Sequence, residues 1–227
     1  MLMSLIRGQL DFQTAVVYIL ALLTIIFLVL PFHEWAHAFT AMKLGDTSVK
    51  YRGRLTLNPL AHIDPIGALA LLLFGIGWAK PVPIDSRNFK KPKLYMGITA
   101  LMGPVANLVA AFAGGLILQT LAKFVPAFLA LNTFGYYIYL FLAFYIQVNV
   151  TLAIFNFLPI PPLDGSKILF IFLPDRWVQK FYQYEQFIAI ALVVLIWIGV
   201  LDVPLNFLTT HVTNGIYWLA GLPFRLF

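Results

Sequence analysis

Cysteine is absent from the 227 residues. Disulfides and thiolate metal ligands are therefore excluded, while the compartment stays open. Charge is scarce as well: Asp, Glu, Lys and Arg make up 11% of the chain, where a soluble domain carries about 25%. Hydrophobic residues reach 61% and the mean hydropathy is +0.89. That balance excludes a water-soluble globule and points to an all-α polytopic membrane protein. Acidic residues number 9 against 15 basic ones, a net charge of +6. The excess sits in loops between apolar runs, where it meets anionic headgroups and sets topology, so no nucleic-acid partner is expected. Internal repeats and linkers are also lacking, and residues 1–227 read as one integral-membrane domain.

Apolar stretches cover residues 14–42, 66–78, 94–121, 134–158, 187–201 and 203–222. No cleaved secretory signal is expected, because the first stretch carries the polar motif described below. The second is too short to cross a ~30 Å hydrocarbon core as a helix. Lys43, Lys50, Arg52 and Arg54 precede it, and Lys80, Arg87, Lys90, Lys91 and Lys93 follow it. A crossing would put these basic clusters on opposite sides of the membrane, against the positive-inside rule. Residues 47–88 are therefore expected to be extended, re-entrant backbone, broken by Pro59, Pro65, Gly67, Gly75, Gly77, Pro81 and Pro83 and able to pair with an extended peptide. The expected architecture is about five transmembrane helices plus this segment, between the first and second full spans. The last two spans, 187–222, are expected to form a tight helical hairpin. The N-terminus is expected outside a plasma membrane, with every Lys and Arg except Arg7 and Lys123 inside.

Within the first run lies His33-Glu34-Trp35-Ala36-His37, an H-E-x-x-H pattern. On a helix, residues four apart share a face, so both imidazoles can hold one metal ion. Glu34 is then placed to take a proton from a metal-bound water. The pattern is short and arises by chance in soluble chains. Inside a lipid-soluble helix, however, two imidazoles and a carboxylate are costly and read as functional.

A hydrolytic zinc site needs a third protein ligand and an open position. The candidates are His62, Asp64, Asp85, Asp164, Asp175, Glu185 and His211. Asp164 follows Pro159-Ile160-Pro161-Pro162-Leu163, where the fourth span returns to the side of His37. A helix N-cap is the plain alternative for such an Asp; the metal motif on the same side favours a ligand. Asn107 and Asn149 lie inside apolar spans. Either can donate to a substrate carbonyl or oxyanion, or simply join helices, and Asn149 is the stronger candidate for the former. His62, at the mouth of the re-entrant segment, is read equally as a contact to substrate or metal and as a loop histidine paired with Asp64. His211 is read as structural.

His33-Glu34-x-x-His37, Gly103-Pro104-x-x-Asn107, and Asn149 followed by Phe155-Asn156-x-Leu158-Pro159-x-Pro161-Pro162-Leu163-Asp164-Gly165 together resemble the site-2 protease family of intramembrane zinc metalloproteases. The likeness covers roughly residues 14–173, the expected catalytic core. Residues 58–67 and 78–83 resemble the compact bacterial and archaeal branch, with no PDZ-like or CBS-like insertion. The resemblance implies one zinc ion held by His33, His37 and Asp164, with Glu34 as the catalytic carboxylate. It implies cleavage of transmembrane substrates near the cytoplasmic face. Two other readings stand beside it. A metal-dependent transporter or channel would need a second polar cluster on the outer side, and none is visible. A non-catalytic binder of transmembrane helices would have no need of Glu34.

Overall fold

The computed structural model describes residues 11–74 and 77–225; Arg7 and Gly75, named above, lie outside them. The first apolar run forms a helical rod, Phe12–Leu44, in three parts: α1 (Phe12–Thr24), a π turn (Ile25–Val29) and α2 (Leu30–Leu44). Asp11 caps the start by accepting from Thr14 N at 2.6 Å. Pro31 explains the wide turn. It has no N–H to bond four residues back, and its ring would strike the carbonyl of Phe27, so the chain loosens just before it.

Between α2 and the next long helix come three short ones: α3 (Ser48–Tyr51), α4 (Pro59–His62) and α5 (Pro65–Phe74). The extended backbone expected through 47–88 is thus interrupted by three short helices and is non-helical at 52–58 and 77–85. The glycines and prolines there are spaced so that an uninterrupted apolar run follows Gly67. Asp64 starts α5 by accepting from the N–H groups of Ile66 and Gly67. Leu71 packs α5 against Leu22 and Ile26, halfway along the rod. Residues 77–85 form a non-helical strap, tied back by one antiparallel bridge between Ile63 and Ala79. A 3-10 turn, Ser86–Asn88, ends it.

The remainder is α6 (Pro92–Phe124), α7 (Pro126–Leu131), α8 (Thr133–Phe157), α9 (Asp164–Phe170), α10 (Asp175–Gln183), α11 (Glu185–Trp197) and α12 (Asp202–Arg225). No strand occurs among the described residues, so the fold is all-α. Helix α6 is the hub and packs on α2, α8, α9 and α12. Its buried face carries Gly97, Ala100, Gly103, Ala110, Ala111 and Gly114, small residues that let helices approach closely without water to drive them together. Leu118, Leu142, Ile146 and Ile216 fill the seam between α6, α8 and α12.

Among the described residues, three helices are long and apolar enough to cross a membrane: Phe12–Leu44, Pro92–Phe124 and Thr133–Phe157. Helices α11 and α12 add a fourth span if taken together; the expected five counted them separately. Where a tight hairpin was expected, the two helices meet at a bend of 81°. Their short connection places Gly199 at φ 77 and turns the chain through roughly a right angle.

Candidate metal centre

One turn of α2 separates His33 from His37, and their rings meet edge to face with centroids 4.7 Å apart. Each ring is fixed by its other nitrogen. His37 Nδ1 lies 2.7 Å from the backbone carbonyl of Thr99. A carbonyl only accepts, so Nδ1 carries the proton and Nε2 is left with a free lone pair. His33 Nδ1 meets Asn107 Oδ1 at 2.5 Å, which selects the same tautomer. Both partners come from α6. The histidines press so closely on that helix that a side chain at Gly103 would overlap Nε2 of both.

Asp164 opens α9, but its carboxylate does not cap the helix; Leu163 is the N-cap residue and no side chain caps it. The side chain turns instead toward α2, with Oδ2 3.4 Å from His33 Nε2 and 3.2 Å from His37 Nε2. Its second oxygen faces Lys167 Nζ at 3.5 Å. Gly165 allows this entry, because a Cβ there would strike the carbonyls of Phe157 and Leu158 at the end of α8.

Two imidazole lone pairs 3.1 Å apart, with a carboxylate oxygen closing the triangle, repel one another unless a cation lies among them. Zinc bound tetrahedrally, with ligands at ~2.1 Å, sets neighbouring ligand atoms roughly 3.4 Å apart. The three contacts here, 3.1, 3.4 and 3.2 Å, have that size, so the donor set fits the metal. All three residues are buried, and their ligand atoms lie within 4.8 Å of one another.

Glu34 is also buried, at 8% exposure. It lies on the wall of a cleft of about 390 Å³ shared with His33, His37 and Asp164. The strap forms another wall through Trp78, Ala79 and Val82. Val82 N–H donates to Glu34 Oε2 at 3.1 Å, while the Val82 side chain packs among Ala38, Ala41 and Phe89. The strap is held at its far end by Asp46, a wholly buried carboxylate. Asp46 accepts from Asp85 N at 2.7 Å and Asn88 Nδ2 at 2.8 Å, and from both the N–H and hydroxyl of Ser48.

The other expected residues lie elsewhere. Asn149 is wholly buried and donates through Nδ2 to Tyr145 O on its own helix; it is not on the cleft wall. His62 is buried with Nε2 2.8 Å from Thr56 O and is neither in the metal cluster nor paired with Asp64, whose Oδ1 caps α5. His211 bonds Phe207 O on α12. Asn156, quoted above only as part of a motif, does line the cleft, from the last turn of α8. The signal was its position: it stands at the end of the span that delivers Asp164, two helical turns nearer to it than Asn149.

The comparisons with known proteins identify the family. Residues 128–199 match the model of Peptidase family M50, a stretch that includes Asp164. The chain is 42% identical over 163 residues to "Putative zinc metalloprotease YwhC" of Bacillus subtilis, covering 72% of this chain and 74% of that relative. A protein described in the same words, Rip2 of Mycobacterium tuberculosis, is 31% identical over 199 residues, 86% of this chain and 71% of its own. Rip2 of Mycolicibacterium smegmatis is 38% identical over 138 residues, 59% of this chain and 49% of its own. No solved structure matches. The chain belongs to peptidase family M50, the site-2 proteases. It is a multi-pass membrane metalloprotease whose cofactor is zinc.

Proposed function

We propose that His33, His37 and Asp164 hold one zinc ion and that Glu34 is the general base and acid for peptide hydrolysis within transmembrane segments of substrate proteins. The observation that carries this reading is the triangle of ligand atoms, 3.1–3.4 Å on each side, with Glu34 on the same cleft wall. Zinc bound there supplies Lewis acidity toward a water and a peptide carbonyl. Asn107 and Thr99 O keep both Nε2 lone pairs aimed at the metal position. Lys167 engages one oxygen of Asp164 and leaves the other free to coordinate. Glu34 takes the proton of the attacking water and later gives it to the departing amine. The Val82 N–H holds that carboxylate in place. Asn156, which lines the cleft where Asn149 does not, takes the role of amide donor to the substrate carbonyl; one Nδ2 proton bonds Leu152 O at 3.0 Å and the second is the one offered to substrate. The positive-inside argument supports an N-terminus outside the plasma membrane and a cleft near the cytoplasmic face. All of residues 1–227 act as one membrane domain.

Incubation of the purified, zinc-loaded protein with single-span membrane proteins in lipid tests this reading. The wild type is expected to cut. Glu34→Gln is expected to keep its zinc and lose on the order of 10²-fold or more in rate, the loss for a missing general base. Wild-type cleavage by Glu34→Gln would contradict the mechanism, and loss of zinc would make Glu34 a ligand.

A further inference from the structure

Helix α10 joins α9, which begins with Asp164, to α11. Its residues divide cleanly around the helix axis at 100° per residue. Asp175, Arg176, Gln179, Lys180 and Gln183 fall on one side; Trp177, Val178, Phe181, Tyr182 and Tyr184 fall on the other. The apolar side is only partly used inside the protein. Phe181 and Tyr182 pack on Phe170, with ring centroids 5.6 and 5.4 Å apart. Trp177 and Tyr184 are left about half exposed, at 49% and 51%. Cations border that exposed strip: Lys180 Nζ lies 5.2 Å above the Trp177 ring, and Arg176 is exposed beside it. The one acid of the helix is already spent, since Asp175 pairs with Lys93 at 2.5 Å. Lys93 also donates to Leu173 O at 2.7 Å, which brings the exposed Lys90 and Lys91 at the head of α6 to the same end of the bundle.

An aromatic strip edged by unpaired cations fits neither bulk water nor hydrocarbon. It fits the boundary between headgroups and acyl chains, where rings insert and cations reach out to phosphate. We propose that α10 docks on the surface of an anionic leaflet, with Trp177 and Tyr184 in the boundary and Arg176, Lys180, Lys90 and Lys91 on anionic headgroups. This rests on the membrane placement of the chain and not on the catalytic roles. Docking steadies the site through Phe170, which ends the helix that Asp164 begins.

The test uses the full chain, whose lack of cysteine allows a single fluorophore at Tyr184→Cys. The labelled protein is reconstituted in vesicles of phosphatidylcholine, alone or mixed with phosphatidylglycerol, carrying a headgroup-level nitroxide quencher. Quenching is expected to grow with phosphatidylglycerol and to fall as salt screens the surface. In Arg176→Gln/Lys180→Gln the docking equilibrium read from quenching at a fixed phosphatidylglycerol fraction should weaken roughly fivefold per cation removed, with zinc content unchanged. Quenching that ignores lipid charge, salt and the double substitution would overturn the proposal, as would no quenching at all. If the double variant fails to fold, the salt series on the wild type decides alone. Anion-dependent quenching without cleavage in any lipid would count against the protease reading and leave this one standing.

Discussion

Asn107 Oδ1 lies 2.5 Å from His33 Nδ1, and this contact decides which nitrogen of His33 faces Asp164. Without it, the ring can flip or change tautomer and aim an N–H at the metal position. A group that hydrogen-bonds the far nitrogen of a metal-ligating histidine is worth about 10–100-fold in metal affinity or activity. Asn107→Ala is therefore expected to weaken zinc binding by that factor, measured by competition with a chelator. Asn149→Ala, whose amide bonds its own helix, should leave zinc affinity within about twofold. Equal effects would mean that both amides serve packing alone.

Asp46 follows His37 by nine residues, just past the end of α2, and fixes the strap that touches Glu34. Asp46→Ala should keep its zinc while kcat falls on the order of 10- to 10²-fold, the cost of misplacing a catalytic group by about 1 Å. Hydrogen exchange at Val82 should quicken in the same variant. Loss of zinc together with activity would mean general unfolding instead.

The same anchor gives a pH dependence. Burial raises the pKa of Asp46, but hydrogen bonds from Ser48, Asp85 N and Asn88 outweigh it and hold the carboxyl below its ordinary value. Asp85, bonded by Arg87, is lowered to about 2. A depressed carboxyl stabilises the fold fully above its unfolded pKa, about 3.9, and loses that stabilisation as pH falls through the folded value. Val82 and Asp85 amides, corrected for intrinsic rates, should keep constant protection from neutral pH to about 5 and lose it only below about 4. Loss near pH 6 would point to a histidine instead.

Topology is open to thiol labelling. Tyr51 is 85% exposed and Lys90 is exposed across the strap from it in sequence. Cysteine at either position should label from the cytoplasmic side in intact cells. If one labels only from outside, helix α5 separates them across the bilayer and the orientation of every later helix reverses.

The helical rod and the pairing of His33 with His37 were legible because apolar length and four-residue spacing are local properties. Asp164 was legible because the prolines before it end a span on the side where His37 sits. Helix α5 was not, since glycines and prolines were weighed as breakers without regard to the gap between Gly67 and Gly75. The sequence ranked Asn149 above Asn107, and the structure puts Asn107 against His33 and Asn149 against its own helix. Burial cost treats Asn107, Asn149 and Asn156 alike, whereas their use depends on helix rotation and depth. Gly103 and Asn107, four apart, share the face on which the histidines press, and that spacing was the available clue. The bond from Val82 N–H to Glu34 joins a backbone group to a side chain 48 residues away, and no reading of side-chain types reaches it. The 81° bend between α11 and α12 depends on the φ of Gly199, which composition does not report.

The central claim is that Asp164 completes the zinc site with His33 and His37. Zinc per chain, measured on purified wild type, Asp164→Ala and Asp64→Ala after dialysis against a weak chelator, tests it most directly. The account predicts one zinc in the wild type and in Asp64→Ala, and a small residue of it in Asp164→Ala, because two histidines alone hold zinc poorly. Full zinc in Asp164→Ala, or its loss in Asp64→Ala, would contradict the account.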